Sequence, residues 1–389
     1  MARKSSVSSI AAGTIATCGG SEVREARAPT VMRRMRGWGA VLLVLLLLPS
    51  LALAAPFAYI PNRGNNNVSV IDTATDTVVA TVAVGIGPYD AAVNSAGTRV
   101  YVVNEPSNNV SVIDTATNTV VATVAVGNGP SGMAVNPAGT RAYVANRNSD
   151  NVSVIDTATN TVVATAGVGF WPIGVAVNPA GTRVYVANKN SNNVSVIDTA
   201  TNTVIATVAV GNAPFGAAIN PAGTRVYVAN SSSNNVSVID TTTNTVAATV
   251  AVGTAPSGMA VNPSGTRAYV TNWTSNNVSV IDTATNTVVA TVAVGSNPYG
   301  VAVNPAGTRA YVTNAGSNNV SEIDTATNTV VATVAVGAQP TSLGQFIGPA
   351  TAAAAGIPTL SEWGMILLSG IMALFGLAQV RRRGNGTPA

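Results

Sequence analysis

Read for hydrophobic and polar positions, the chain between Phe57 and Phe346 is a string of short apolar runs separated by polar breaks, and the string repeats. Ile-Asp-Thr recurs at Ile71, Ile113, Ile155, Ile197, Ile239, Ile281 and Ile323, always 42 residues apart. In the copy beginning at Ile173, Gly174–Val177 is apolar and Asn178-Pro-Ala-Gly181 carries the signals of a type I turn. Arg183–Ala187 and Val194–Ile197 read as two further strands flanking the polar loop 188–193. Asp198–Thr203 reads as a turn whose Asp and Thr bond local amides, and Val204–Val210 as a fourth strand. No copy contains an amphipathic helix, which excludes a helical solenoid of the same period.

Four strands per copy at a period of roughly 40–45 residues predict an all-β fold, a seven-bladed β-propeller. The first strand of each copy is rich in Gly and Ala, as expected where blades converge on the axis. The fourth alternates Thr and Val, as a half-exposed outer strand should. Ring closure is legible too. Phe57–Ile60 aligns with second strands, so the first blade lacks its innermost one, and Thr341–Phe346 aligns with first strands and has no second strand after it. Three strands from one end and one from the other would complete the seventh blade and leave no open edge.

The two ends follow other patterns. Residues 33–55 carry a basic start, the apolar run Val41–Leu48, Pro49 and a small-residue site ending at Ala54, the layout of a secretory signal peptide over 32–54. The run is short for a membrane anchor, and the polar stretch 1–31 fits no part of such a signal. An untranslated or disordered segment, with the start at Met32 or Met35, is the expectation there. Trp363–Val380 is largely apolar and long enough for a transmembrane helix, and Arg381, Arg382 and Arg383 should hold its far end in the cytoplasm. The expected order is therefore propeller 55–348, flexible linker 349–356, membrane segment 357–383 and tail 384–389.

Composition narrows the chemistry. The formal charge of +4 is carried by the ends, because residues 55–356 hold nine basic against twelve acidic side chains, about −3. A nucleic-acid partner is not expected without a basic patch on the folded body. The single cysteine, Cys18, precedes the expected cleavage site, and the chain has no histidine. Disulfides, thiolate metal sites and the usual general base near neutral pH are thereby excluded from the mature body. No catalytic residue, metal site or cofactor is expected.

Two resemblances follow from particular residues. Ile357-Pro358-Thr359-Leu360 and Trp363-Gly364, then the apolar span and the Arg triplet, resemble the IPTL-type C-terminal sorting signals of Gram-negative bacteria. That resemblance implies a processing membrane protease of the exosortase type as partner, display on the cell envelope, and release if the tail is cut. Tyr143-Val-Ala-Asn146, Tyr269-Val-Thr-Asn272 and Tyr311-Val-Thr-Asn314 resemble the YVTN-type β-propeller repeats of prokaryotic surface and exported proteins. Related propellers serve as adhesins, scaffolds, lactone hydrolases and redox subunits, so the fold alone licenses no activity.

The copies can be compared with one another. One face of the ring is built from NPAGTR and DTATNT, nearly unchanged throughout; its Asp and Arg columns read as turn capping and ion pairing. The other face varies, through Ile86–Asp90, Phe170–Ile173, Phe215, Tyr299 and the loop residues Glu105, Arg147, Asp150, Lys189 and Trp273. Tyr89, Asp90, Phe170, Trp171, Ile173, Phe215, Trp273 and Tyr299 are therefore the candidate partner-binding residues, with an extracellular protein or polysaccharide as partner. The competing expectation is that they only cover the central opening. Gly127–Gly132 matches G-x-G-x-x-G but leads through Pro130 into a strand, and the Asn-Val-Ser triplets read as strand starts rather than glycan acceptors. The function expected is a non-catalytic binding or adhesion module. A passive surface-layer element is the alternative, and a lactonase-like or redox propeller stands behind both.

Overall fold

The computed structural model describes residues 56–349, so the expected signal peptide, linker, sorting motif and membrane helix lie outside the described residues. Within 56–349 the fold is the seven-bladed β-propeller. The first sheet has three strands, β1 (Phe57–Asn62), β2 (Asn67–Asp72) and β3 (Thr77–Ala83). Six four-stranded antiparallel sheets follow in chain order, over residues 88–125, 130–167, 172–209, 214–251, 256–293 and 298–335. The sheet over 172–209 is typical: β12 (Pro172–Val177), β13 (Arg183–Asn188), β14 (Asn193–Asp198) and β15 (Thr203–Ala209), paired in that order.

Local chemistry builds each blade. Asn178 accepts the amides of Thr182 and Arg183, and Gly181 takes φ +69°, so the turn needs a residue without Cβ there. The Asn that ends each second strand is buried; Asn188 Nδ2 donates to Asn193 Oδ1 (2.8 Å) and Ser195 Oγ (2.9 Å). A Cβ at Gly211 would sit 2.7 Å from that Asn230-type carboxamide in the next blade. The Y-V-x-N, N-V-S and V-G elements of the repeat are thus one packed unit. Seven tyrosines, from Tyr59 to Tyr311, lie between blades at no more than 2% exposure. Val and Ile of the second and third strands surround them, each fully buried side chain stabilising by roughly 1.5–3 kcal/mol. The outer strands are mostly exposed and carry a bulge, as at Val196/Ile197, which disturbs the free edge.

Closure takes the expected form with one difference. Residues 340–348 lie along β1 through the pairs Asn62–Pro340 and Ala58–Ile347, with Tyr59 N donating to Phe346 O (2.8 Å). They do not form a continuous strand. Pro340 has no N–H to give, and Gln345 at φ +56° breaks the extended run.

Around the axis, five first-strand glycines face the next blade's backbone. A Cβ at Gly132, Gly174, Gly216, Gly258 or Gly300 would come within 2.6 Å of it. In that column two positions differ, Asp90 and Ser342, and they are neighbours across the closure.

Candidate functional site

The invariant face is structural. In each blade after the first the Arg that opens the second strand pairs with the Asp that ends the third, as Arg141 Nη1 with Asp156 Oδ2 (2.6 Å). The other Asp156 oxygen accepts the amides of Ala158 and Thr159 (3.0 Å each). The Thr159 amide is the chief cause holding this carboxyl below its ordinary value, and its sister carboxyls follow the same rule. A cavity of about 350 Å3 runs along the axis and reaches this face, lined by Asn94, Ser95 and Pro305 at the mouth and by Val175, Ala218 and Met259 deeper in.

The variable face is built from two columns of the repeat. The first residue of the loop after each second strand reads Arg63, Glu105, Arg147, Lys189, Ser231, Trp273, Ala315 around the ring. The residue after each first-strand proline reads Tyr89, Ser131, Ile173, Phe215, Ser257, Tyr299, Thr341. The structure brings the large members of the second column together over the axis. Tyr299 meets Tyr89, Phe215 and Trp273 edge to face at centroid distances of 5.6–5.7 Å, and its hydroxyl donates to that of Tyr89. Tyr89, Ile173 and Tyr299 are buried in this plug, while Phe215 and Trp273 are half-buried. Burial raises both tyrosine hydroxyls, Tyr299 the further.

Phe170 and Trp171 stand apart from the plug. Phe170 is 67% exposed and Trp171 36% exposed. Trp171 adopts φ +57°, a conformation all seven copies share, with Gly87, Gly129, Ala213, Ala255, Asn297 and Gln339 at the sister positions, and Asp150 accepts its amide (2.9 Å). A bulky residue in the left-handed region is costly, by roughly 1–3 kcal/mol. The Arg147 guanidinium lies 5.3 Å from the Trp171 ring.

Asp90 is not on the surface at all. It is 1% exposed and accepts four hydrogen bonds, from Ala91 N (2.9 Å), Met133 N (2.9 Å), Leu343 N (2.8 Å) and Ser342 Oγ (2.8 Å). Burial pushes its carboxyl up to about 7 against the pull of those donors. Its geometry is that of a latch tying the closing segment to the next blade. The clue in the sequence was an Asp standing in a column of glycines.

Sequence reasoning missed several residues. Arg63, in the incomplete first blade, gives Nη2 to Glu105 Oε2 (2.7 Å), and Arg147 pairs with the other Glu105 oxygen. Both guanidiniums also lie over the Tyr89 ring, at 5.4 and 5.7 Å. Reading the loop column from Asn62 onward would have exposed Arg63. Glu322 was missed as well: it replaces the Val of six sister strands and is 4% exposed. It accepts Arg309 Nε (2.8 Å) and faces Asp76, which replaces the Asn of the sister turns, across the seam between last and first blades. Desolvation, then Asp76, pushes the Glu322 carboxyl up to about 7. Among the described residues no three acidic, His or Cys side chains converge as a metal site would require.

The family model described as lactonase, seven-bladed β-propeller, matches residues 55–209, from β1 through β15. The IPTL-CTERM motif matches residues 355–383, so the chain carries a processing-related sorting signal. The sorting residues expected from sequence fall inside that match. Solved structures repeat the fold. Kuenenia stuttgartiensis hydrazine synthase aligns at 26% identity and TM-score 0.65, covering 69% of this chain and 92% of that one. A functionally unknown protein from Desulfotomaculum acetoxidans aligns at 18% identity and TM-score 0.64, over 74% and 99%. A dihydro-heme d1 dehydrogenase aligns at 17% identity and TM-score 0.56, over 72% and 64%. No curated protein matches the chain. The likenesses meet in the propeller and the sorting motif, and divide on activity.

Proposed function

We propose that this chain is an envelope-displayed, non-catalytic propeller that binds a partner through its variable face. The carrying observation is Trp171, a large exposed ring beside exposed Phe170 at a turn position that the sister copies fill with Gly, Ala, Asn or Gln, on the one face where the copies lose their identity. The left-handed turn itself is common to all seven copies; what is particular to this one is the bulk placed on it, which folding does not require. Pro56 and Pro349 both lie by the invariant face, Gly348 N donating to Phe57 O (3.1 Å), and only residues 350–354 separate Pro349 from the sorting motif.

The lactonase match favours a second reading, an active site in the axial cavity. The acid in its wall is Asp90, whose oxygens are already engaged by four donors. General base work needs a carboxylate within reach of a substrate proton, and this one is turned into the closure.

The test uses the full chain in mild detergent, immobilised and exposed to the host's envelope polysaccharides and surface proteins. Beside it runs the chain with Phe170→Ser and Trp171→Ser. Retention of a component by the first and its loss from the equally stable second is expected. Retention of nothing by either would put the passive surface element in front, and lactone hydrolysis by the parent chain, abolished in an Asp90→Asn chain that stays folded at the assay temperature, would favour the enzyme.

A further inference from the structure

At the junction of the last and first blades the variable face is hollow. The loop column there reads Ala315-Gly316, the smallest pair among the copies, between Trp273 on one side and Arg63 on the other. The result is a pocket of about 260 Å3 with Tyr89, Trp273 and Tyr299 as aromatic walls and Asn297, Gln339 and Arg63 at its rim. That volume falls below the roughly 300–1,000 Å3 of sites that engulf a whole ligand. It suits one ring of a longer molecule.

The charge beside it is unbalanced. Glu105 lies between Arg63 and Arg147, so the trio carries a surplus of one positive charge. Of the two guanidiniums only Arg63 lines the pocket, and its side chain is 41% exposed there. An anionic group would relieve that surplus, and a guanidinium receives a carboxylate through paired N–H bonds. The body as a whole is acidic, at about −3, which makes a cationic corner on it more pointed.

We propose that this pocket is a subsite for one uronic-acid unit of an acidic polysaccharide; the proposal rests on the variable face being the binding face. The sugar's C–H face packs on the Trp273 ring, its hydroxyls meet the side-chain amides of Asn297 and Gln339, and its carboxylate meets Arg63. An acidic peptide fits less well. Peptides are gripped along a free strand edge or a long groove, and this face presents turns and loops around a ring-sized hollow.

Calorimetry on the full chain in detergent tests this with three probes: an oligomer of galacturonic acid, the matching neutral galactose oligomer and oligo-glutamate. The galacturonate oligomer is expected to bind, and both other probes to bind at least roughly tenfold more weakly. Arg63→Gln should weaken galacturonate by about tenfold, and Ala315→Leu, which fills the pocket, should abolish it with the melting temperature unchanged. Equal binding of the neutral oligomer, equal or better binding of oligo-glutamate, or galacturonate binding indifferent to Ala315→Leu would each overturn the proposal. Should Phe170→Ser with Trp171→Ser abolish retention of an envelope component while Ala315→Leu spares it, the variable face binds and the uronate subsite fails. Loss of neither would remove the broader reading as well.

Discussion

The two faces of this ring are made by the same seven-fold repetition and have opposite characters. On the turn face each side chain repeats its neighbour's job: Asp156 caps two amides and pairs with Arg141, and Asp198 does the same with Arg183. On the loop face one column runs from Arg63 through Glu105, Lys189 and Trp273 to Ala315. Both faces keep their backbone hydrogen bonds in every blade, the loop face through Asn or Asp side chains that accept an amide 21 residues on, as Asn192 does from Ala213. The lesson is that backbone needs are met identically on both sides, so the loop face is free to vary: part of that variety, Tyr89, Ile173 and Tyr299, packs as a plug over the axis, and part, Phe170 and Trp171, stays exposed.

That contrast can be broken or sharpened experimentally. The largest effect should come from the axis, where neither face has freedom. Gly300→Ala places a Cβ 1.4 Å from Ser342 O and should destabilise by roughly 3 kcal/mol or more, read as a drop in denaturation midpoint. Asp90→Ala leaves the amides of Met133 and Leu343 without their acceptor and should cost roughly 3 kcal/mol by the same measurement.

Acidity separates the next pair. Glu322 and Asp90 have carboxyls raised to about 7, so the folded state holds protons that the unfolded chain releases near pH 4. Their contribution is present at low pH and is lost as pH rises through about 7. Glu322→Val, which restores the sister residue, should therefore raise the melting temperature by a few degrees at pH 8 and change it less at pH 5. The turn-face carboxyls, lowered by their amide partners, act in the opposite sense: their stabilisation is full above about pH 4 and lost as pH falls below it. Asp156→Ala should flatten that acid limb slightly, seen by thermal melts across pH 2–6.

What the sequence made legible was whatever lies within one repeat. Period, strand order, the Asn178–Gly181 turn and the Asp–Arg pairing need contacts no more than about a blade's length apart, and seven copies average out accident. The split closure was legible because an incomplete first copy and an orphan last strand must be complementary. What was not legible depends on which blades are neighbours at the seam. Asp90 finds Ser342 and Leu343 some 250 positions away, and Glu322 meets Asp76. The division of the aromatics was hidden for a related reason. Tyr299 and Trp171 occupy nearly adjacent columns, yet one points over the axis into Tyr89 and Phe215 while the other, left-handed, stays outside.

The most direct test of the account measures melting temperature and retention of envelope polysaccharide side by side for Trp171→Ala and Asp156→Ala in the full chain. Trp171→Ala should shift melting by no more than about 2 °C, since Ala213 and Ala255 already adopt the same backbone conformation, and should lose retention. Asp156→Ala should lower melting and keep retention. A Trp171→Ala chain that melts early and still retains the polysaccharide would contradict this, leaving Trp171 a residue that holds the ring together and not one that binds.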